Sequence, residues 1–141
     1  MPNEIKVVAC QMQVIPGNPA QNTKTILHEI SLAREHSADL IIFPEMAVPG
    51  YLLGDEWENE SFVKDAFLYN NDIIAASRQL VVVWGNVDLD ETRTGEDGRS
   101  RKYNTAFVAQ DGRLIGKVHK TLMPKYREFD DERYFYSLRK E

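Results

Sequence analysis

The sequence has one cysteine and no apolar run long enough to cross a membrane, and both shortages narrow the class of protein. A lone Cys10 excludes an internal disulfide, which is typical of a reducing compartment and predicts a cytoplasmic protein. The apolar run at residues 40–43 is far shorter than the roughly 20 residues that a membrane helix needs. Residues 1–4 show neither the basic region nor the apolar core of a signal peptide.

Basic residues are fewer than acidic ones as well. The sequence has 17 lysines and arginines and 22 aspartates and glutamates, which give a net charge of −5. Without a basic stripe to replace the counterions of phosphates, we expect no nucleic-acid partner. The 3 histidines are too scattered to predict a metal site. The two residues between the glycines at 95 and 98 are acidic, whereas a phosphate-binding loop would need hydrogen-bond donors there. We therefore expect no phosphate-binding glycine loop. A small molecule is the expected partner, with neither nucleic acid nor membrane.

Apolar runs and helical periodicity alternate along the rest of the chain. Runs of β-branched residues predict three buried strands, and apolar residues at three- and four-residue spacing predict two helices between them. The Asn18-Pro19 pair suits a helix start, since Asn can cap free amides and Pro fits the first helical position. The predicted order is a strand at 5–13, a helix from Asn18-Pro19 to about His36, a strand at 40–43, a helix at 62–74 and a strand at 80–84.

The last third of the chain predicts a hairpin. Asp111-Gly112 is a favoured two-residue turn between strands at 104–110 and 113–119. Residues 88–101 are polar and contain glycine, and we interpret them as a mobile surface loop with no packed role. The aromatic and charged tail at 126–141 is expected to be helical near its end. The order of elements predicts one α/β domain over residues 1–141, with a mixed sheet and flanking helices.

Two charged residues follow predicted strands and are the main candidates for chemistry. Glu45 comes after the strand at 40–43 and Pro44, at the sheet edge where α/β proteins place their binding crevice. A carboxylate there can act as a general base. Lys120 follows the last predicted strand, and an ammonium there can stabilise a developing oxyanion. Each alone could be a surface residue, but two strand exits that converge on one side of the sheet favour a site.

Cys10 is the one possible thiol nucleophile in this sequence. It lies inside the first predicted strand, and an apolar environment there would keep the pKa of its thiol high. We therefore interpret Cys10 as a small buried hydrophobic residue. The sequence then supplies a carboxylate and an ammonium but no nucleophile.

Several segments resemble the nitrilase, or carbon–nitrogen hydrolase, superfamily. The most specific is Phe43-Pro44-Glu45, and Gly50-Tyr51 and Tyr103-Asn104-Thr105-Ala106 add to it. The segment from Lys120 to Phe135 narrows the resemblance to the glutaminase domains of glutamine-dependent NAD synthetases. The resemblance implies the first half of a nitrilase-type αββα sandwich. Residues 1–141 would then be a truncated glutamine amidotransferase domain, without the half that carries the nucleophile.

The resemblance also implies roles for individual residues. The catalytic glutamate and lysine of the family fall on Glu45 and Lys120, and its substrate-lining aromatic residues fall on Tyr126 and Phe129. Where the family has a second glutamate, this chain has Asp131 followed by Glu132. Either carboxylate could position the substrate or the lysine. No metal ligand is implied.

The implied substrate is glutamine, whose hydrolysis needs no cofactor, while ATP, magnesium and deamido-NAD belong to a separate synthetase domain. Because the catalytic cysteine of the family lies beyond this stretch, we expect residues 1–141 alone to be inactive. We also expect one sheet face to be uncovered, which predicts a homo-oligomer. Two alternatives stay open: a stand-alone amidase or carbamoylase of the same superfamily, and a non-catalytic half-domain that binds a partner.

Overall fold

The computed structural model describes residues 3–140, which form a five-stranded sheet with flanking helices. The strands are β1 (Val7–Ala9), β2 (Leu40–Ile42), β3 (Val81–Thr94), β4 (Ser100–Gln110) and β5 (Arg113–His119). The helices are α1 (Pro19–Glu35), α2 (Glu60–Leu68), α3 (Asn70–Ala76) and α4 (Asp131–Tyr134), with 3₁₀ helices at Gly54–Glu58 and Leu138–Lys140.

The sheet changes from parallel to antiparallel pairing at β3. In the order β1-β2-β3-β4-β5, the first three strands are parallel, and β4 and β5 continue the sheet as antiparallel strands. The predicted α/β fold with a mixed sheet and flanking helices is therefore confirmed. This topology brings the carboxyl ends of β2 and β5 to the same edge of the sheet, beside the middle of β4.

Helix α1 begins as the sequence predicts and covers one face of the sheet. The Asn18 side chain accepts a hydrogen bond from the Gln21 amide at 3.1 Å, and Pro19 lies in the first turn. The buried side chains of α1 share one core with residues from α3 and three strands, among them Ile26, Ile30, Ile41, Ile73, Val82 and Phe107. This core holds the strands that lead into the candidate site.

The second predicted helix is two helices, α2 and α3, which meet at Tyr69. The break places Asn70 against the sheet, where its Oδ1 accepts hydrogen bonds from Trp84 Nε1 and Asn86 Nδ2, each at 2.8 Å. Asn86 Nδ2 also donates to the Ala66 carbonyl of α2 at 2.8 Å. This buried polar network fastens both helices to β3, and apolar periodicity alone does not reveal it.

The strand predicted at residues 5–13 is much shorter, and it is not buried. Strand β1 has three residues at the edge of the sheet, and its first residue, Val7, is 56% exposed. The prediction of a buried strand is wrong because an edge strand has a neighbour on one side only, and the outward-facing side chains of β1 are uncovered.

The interpretation of residues 88–101 as a mobile surface loop is also wrong. Strand β3 runs on to Thr94 and β4 begins at Ser100, so most of this segment is paired in a long hairpin. Asp88 is buried and accepts a hydrogen bond from Lys117 Nζ at 2.6 Å. The buried charge is accommodated because Lys117 of β5 reaches across β4 to pair with Asp88 of β3, which polarity along the sequence does not show.

The second hairpin and the tail agree better with the sequence. Asp111 and Gly112 have φ values of 50° and 76°, as the two-residue turn between β4 and β5 requires. The tail contains two short helical segments, α4 and the 3₁₀ helix at Leu138–Lys140. Residue 141 of the predicted tail and residues 1–2 of the predicted domain lie outside the described residues.

The sheet face opposite α1 carries exposed apolar side chains. Ile42 of β2 is 41% exposed and Val118 of β5 is 69% exposed. Together with Val83 and Ala106, they line a shared groove, and we call these four residues the open face. No other element within residues 3–140 buries Ile42 or Val118, as the resemblance to half of a sandwich predicts.

Gly85 of β3 lies directly beneath the loop that carries Glu45. A Cβ atom at this position would lie 2.7 Å from the Pro44 carbonyl oxygen and would overlap the Met46 amide nitrogen. The Val48 amide donates a hydrogen bond to the Gly85 carbonyl at 3.3 Å, which holds the loop on the strand. Because no side chain fits between β3 and this loop, position 85 sets how close Glu45 lies to the sheet.

We expect Gly85→Ala to lower the free energy of unfolding by about 1–3 kcal/mol, the usual cost of forcing an extra methyl group into packed space. The matched control is Gly116→Ala in β5, where a Cβ atom would meet no heavy atom within 4 Å. The midpoint of urea unfolding measures both variants. Equal midpoints would contradict the close packing of the Glu45 loop on β3.

Candidate active site

Glu45 lies just after β2, and its side chain reaches β4 and the end of β5. Its Oε1 atom accepts two hydrogen bonds, from Asn104 Nδ2 at 2.6 Å and from Lys120 Nζ at 2.7 Å. The side chain is still 47% exposed. Glu45 therefore has two fixed partners and remains accessible to a bound molecule.

Lys120 follows directly after β5, and its backbone amide extends the pairing with β4 by donating to the Asn104 carbonyl at 2.7 Å. Its ammonium contacts three acceptors: Glu45 Oε1 at 2.7 Å, Tyr51 Oη at 3.2 Å and Asp131 Oδ2 at 3.3 Å. Burial lowers the pKa of Lys120, but the hydrogen bonds to Glu45 and Tyr51 and the carboxylate charges outweigh burial and raise it. Lys120 is therefore a fixed cation.

Asp131, and not Glu132, is the carboxylate beside the lysine. The buried Asp131 Oδ2 accepts hydrogen bonds from the Tyr51 hydroxyl at 2.7 Å and from Lys120 Nζ at 3.3 Å. Glu132 pairs instead with Lys125, 2.9 Å away. Burial and the hydrogen bond to Asp131 raise the pKa of Tyr51 to about 12, so its hydroxyl stays protonated at neutral pH. The structure thus separates two carboxylates that the sequence leaves equivalent.

The predicted substrate-lining residues, Tyr126 and Phe129, lie beside this cluster. The ring of Phe129 packs edge-on against Tyr51, with centroids 5.8 Å apart, and the ring of Tyr126 lies 5.6 Å from that of Phe129. Tyr126 is 63% exposed, so the rings lead from the charged cluster to the surface. Their contact with a substrate stays a prediction.

An open groove of about 400 Å³ connects Glu45 and Lys120 with the open face of the sheet. Most of its other walls are apolar, and they include Ile42, Phe43, Val83, Ala106 and Val118. A molecule in this groove would have a carboxylate and an ammonium at one end and apolar contacts along its length.

Cys10 does not line this groove. It follows β1, packs against the core under α1, and donates its amide hydrogen to the Ile42 carbonyl at 2.9 Å. Burial, and to a smaller extent the charge of Glu29, raises the pKa of its thiol. Cys10 is a packing residue, as expected, but it is half-buried and lies just after β1 instead of inside a buried strand.

Sequence reasoning missed two residues of this cluster, Tyr51 and Asn104. Both lie in segments that carry the family resemblance, but nothing in their spacing places them beside Glu45. Asn104 did offer a signal, because a polar side chain inside a predicted internal strand needs a hydrogen-bond partner. Its partner, Glu45, is 59 residues away in the sequence.

Two other kinds of site are absent from the part of the chain that the structure describes. Within residues 3–140, no group of three or more histidine, cysteine or acidic side chains is arranged to hold a metal ion. None of the helices in this range is both long enough and apolar enough to cross a membrane.

The chain is similar in sequence to glutamine-dependent NAD synthetases. The enzyme of Thermotoga maritima is 30% identical over 133 residues, which make up 93% of this chain and 22% of that protein. The enzyme of Mycobacterium tuberculosis is 32% identical over 92% of this chain and 18% of its own length. The chain thus spans about a fifth of the length of the curated relatives that it matches.

The fold comparison agrees with the sequence comparison. A solved structure of glutamine-dependent NAD synthetase from Acinetobacter baumannii matches with a TM-score of 0.75 and 32% identity, over 94% of this chain and 24% of that one. The fold predicted from the resemblance is thereby confirmed. The family model described as carbon–nitrogen hydrolase matches residues 6–138, nearly the full sequence. This chain therefore belongs to the carbon–nitrogen hydrolase family.

Proposed function

We propose that this chain forms the part of a glutaminase site that holds the general base and the oxyanion-stabilising cation, within a glutamine-dependent NAD synthetase. The observation that carries the proposal is the 2.7 Å contact between Lys120 Nζ and Glu45 Oε1 at the end of an open groove. Family membership supports amide hydrolysis, and similarity to NAD synthetases supports glutamine as the amide.

In the proposed reaction, a cysteine thiol from outside residues 1–141 attacks the side-chain amide carbon of glutamine. Glu45 accepts the thiol proton as the S–C bond forms and passes it to the amide nitrogen as the C–N bond breaks, which releases ammonia. Water then attacks the thioester carbon and gives a proton to Glu45, which returns it to the cysteine sulfur as the C–S bond breaks and glutamate leaves. Cys10 is unsuited to be the nucleophile, because it packs in the core under α1 and burial raises the pKa of its thiol.

Lys120 stabilises the negative oxygen that develops on the attacked carbon. Its attraction to Glu45 weakens when that carboxylate takes up a proton. Asp131 and Tyr51 still contact the ammonium at 3.3 Å and 3.2 Å, so Lys120 keeps its position through the proton transfer. We therefore propose that Asp131 positions the lysine, and that Tyr126 and Phe129 contact the glutamine.

In this proposal the ammonia is consumed in a separate domain that amidates the nicotinic acid group of deamido-NAD. ATP, magnesium and deamido-NAD would bind in that domain, and glutamine hydrolysis in this one needs no cofactor. We also propose a cytoplasmic location, since a single cysteine is typical of proteins from reducing compartments.

We expect the native gene product to have a mass of roughly 65–85 kDa, because this 16.2 kDa stretch covers 22% of one curated relative and 18% of another. Mass spectrometry of the intact protein from its source cells measures this. A mass of about 30 kDa would favour the stand-alone amidase or carbamoylase. A mass of 16.2 kDa, that of residues 1–141, would favour the non-catalytic binding half-domain.

The open face leads us to propose that residues 1–141 on their own form a homo-oligomer, because contiguous exposed apolar surface is usually covered by a partner. We expect light scattering on residues 1–141 to give a multiple of the 16.2 kDa single-chain mass. A clean monomer at high protein concentration would contradict self-association.

We expect Glu45→Gln to lower ammonia release from glutamine by about 10²–10⁴-fold, since the amide keeps the shape of the side chain but cannot accept the proton. NAD synthesis with ammonia supplied directly should be unchanged in the same variant. The matched control is Glu35→Gln, an exposed carboxylate at the end of α1. Loss of both activities would indicate misfolding, and full glutamine turnover would rule out Glu45 as the base.

A further inference from the structure

Asn104 is buried inside the sheet and contacts both charged residues of the site. It is 3% exposed and lies in β4, with β3 on one side and β5 on the other. Its Nδ2 donates to Glu45 Oε1 at 2.6 Å, and its carbonyl accepts a hydrogen bond from the Lys120 amide at 2.7 Å. One residue thereby fixes the carboxylate and the backbone from which the lysine extends.

We infer that Asn104 is a positioning residue, which holds Oε1 of Glu45 so that Oε2 is the oxygen that receives the thiol proton. This inference rests on the proposed function, in which Glu45 is the general base. The two oxygens of the Glu45 carboxylate then have different roles. The hydrogen bond from the neutral Asn104 amide causes the difference.

The two oxygens of Glu45 have different surroundings. Oε1 accepts hydrogen bonds from Asn104 and Lys120, whereas no donor among residues 3–139 forms a hydrogen bond with Oε2. Donors favour the charged form of the oxygen that they contact, and a cationic donor does so most strongly. A proton therefore adds to Oε2, and the 47% exposure of the side chain leaves that oxygen room to face the groove.

Lys120 alone cannot keep the carboxyl group in place during the reaction. Its ammonium also has to serve the developing oxyanion, and its attraction to Glu45 falls once Oε2 is protonated. The Asn104 hydrogen bond survives this step, because Oε1 becomes the carbonyl oxygen of the acid and still accepts from Nδ2. The amide therefore holds the acid while Oε2 delivers its proton to the leaving ammonia.

Two substitutions separate the parts of this role. Asn104→Asp keeps the shape of the side chain but replaces the donor with a negatively charged acceptor facing Glu45. Asn104→Ala removes the donor and adds no charge. Both changes favour the protonated carboxyl group, so a higher pH is needed to form the base, and the effect is larger for Asn104→Asp.

The experiment measures kcat and KM for glutamine hydrolysis by the native gene product across the acidic pH range. We expect kcat to fall about 10²-fold for Asn104→Asp and about 10-fold for Asn104→Ala, because the base loses its alignment. The acidic limb of the pH profile should move to higher pH, by about one unit for Asn104→Asp. The KM for glutamine should stay within about twofold, because the loss of alignment affects the proton transfer and not the binding of glutamine before the reaction.

Asn86→Ser is the structural control, since Asn86 is a buried asparagine of β3 that bonds to Ala66 and Asn70. We expect it to lower the unfolding temperature without moving the acidic limb of the pH profile.

If Asn104→Asp fails to fold, Asn104→Ala carries the test. An acidic limb that does not move in a folded Asn104 variant would overturn this inference alone, provided the wild-type protein hydrolyses glutamine. A wild-type protein with no glutamine hydrolysis would overturn the proposed function and this inference with it.

Discussion

The close packing of the Glu45 loop on Gly85 is the constraint on which the rest of the site depends. Strand β3 joins the parallel part of the sheet to the antiparallel part. A loop that leaves β2 and rests on β3 therefore lies within reach of side chains from β4 and from the end of β5. A side chain at position 85 would lift this loop and separate Glu45 from Asn104 and Lys120. Backbone contact thus sets the distance at which the charged groups interact.

The negative charges of the site outnumber its positive charges. Two carboxylates, Glu45 and Asp131, surround one ammonium, which leaves one excess negative charge. Asp131 is buried and needs its hydrogen bonds from Tyr51 and Lys120, because an unpaired buried charge is costly. Glu45 is half-exposed, so water can solvate the excess charge there. The buried carboxylate is suited to hold the cation, and the exposed one is suited to exchange a proton.

Local chemistry along the chain predicts a large part of this fold. The Asn18 cap, the apolar spacing in α1 and the Asp111-Gly112 turn all act between near neighbours, and each prediction from them is confirmed. The failures concern properties that depend on distant residues. The exposure of β1 depends on its place as an edge strand of the sheet. Residues 88–101 form strands instead of a mobile loop because β3 pairs with β4. The break at Tyr69 depends on bonds from β3 to Asn70.

The candidate site shows the same division. Glu45 and Lys120 are identifiable because strand exits share one edge of an α/β sheet, and the structure places them 2.7 Å apart. Their roles as catalytic residues stay predictions. Asn104 and Tyr51 could not be identified as their partners, because hydrogen bonds between sequence-distant side chains leave no periodic pattern. The choice between Asp131 and Glu132 likewise required the orientation of α4, which brings Asp131 to Lys120 and Glu132 to Lys125.

The polar contacts of the site join parts of the chain that are far apart in sequence. Lys120 and Glu45 are separated by 75 residues, and Tyr51 and Asp131 by 80. Closing loops of this length costs chain entropy before any contact can compensate, so we expect such contacts to form late in folding. Helix α1 and the β4–β5 hairpin can form early from near neighbours. A partly folded chain would therefore contain recognisable helices and hairpins but no paired Glu45 and Lys120, and the pair reports that folding is complete.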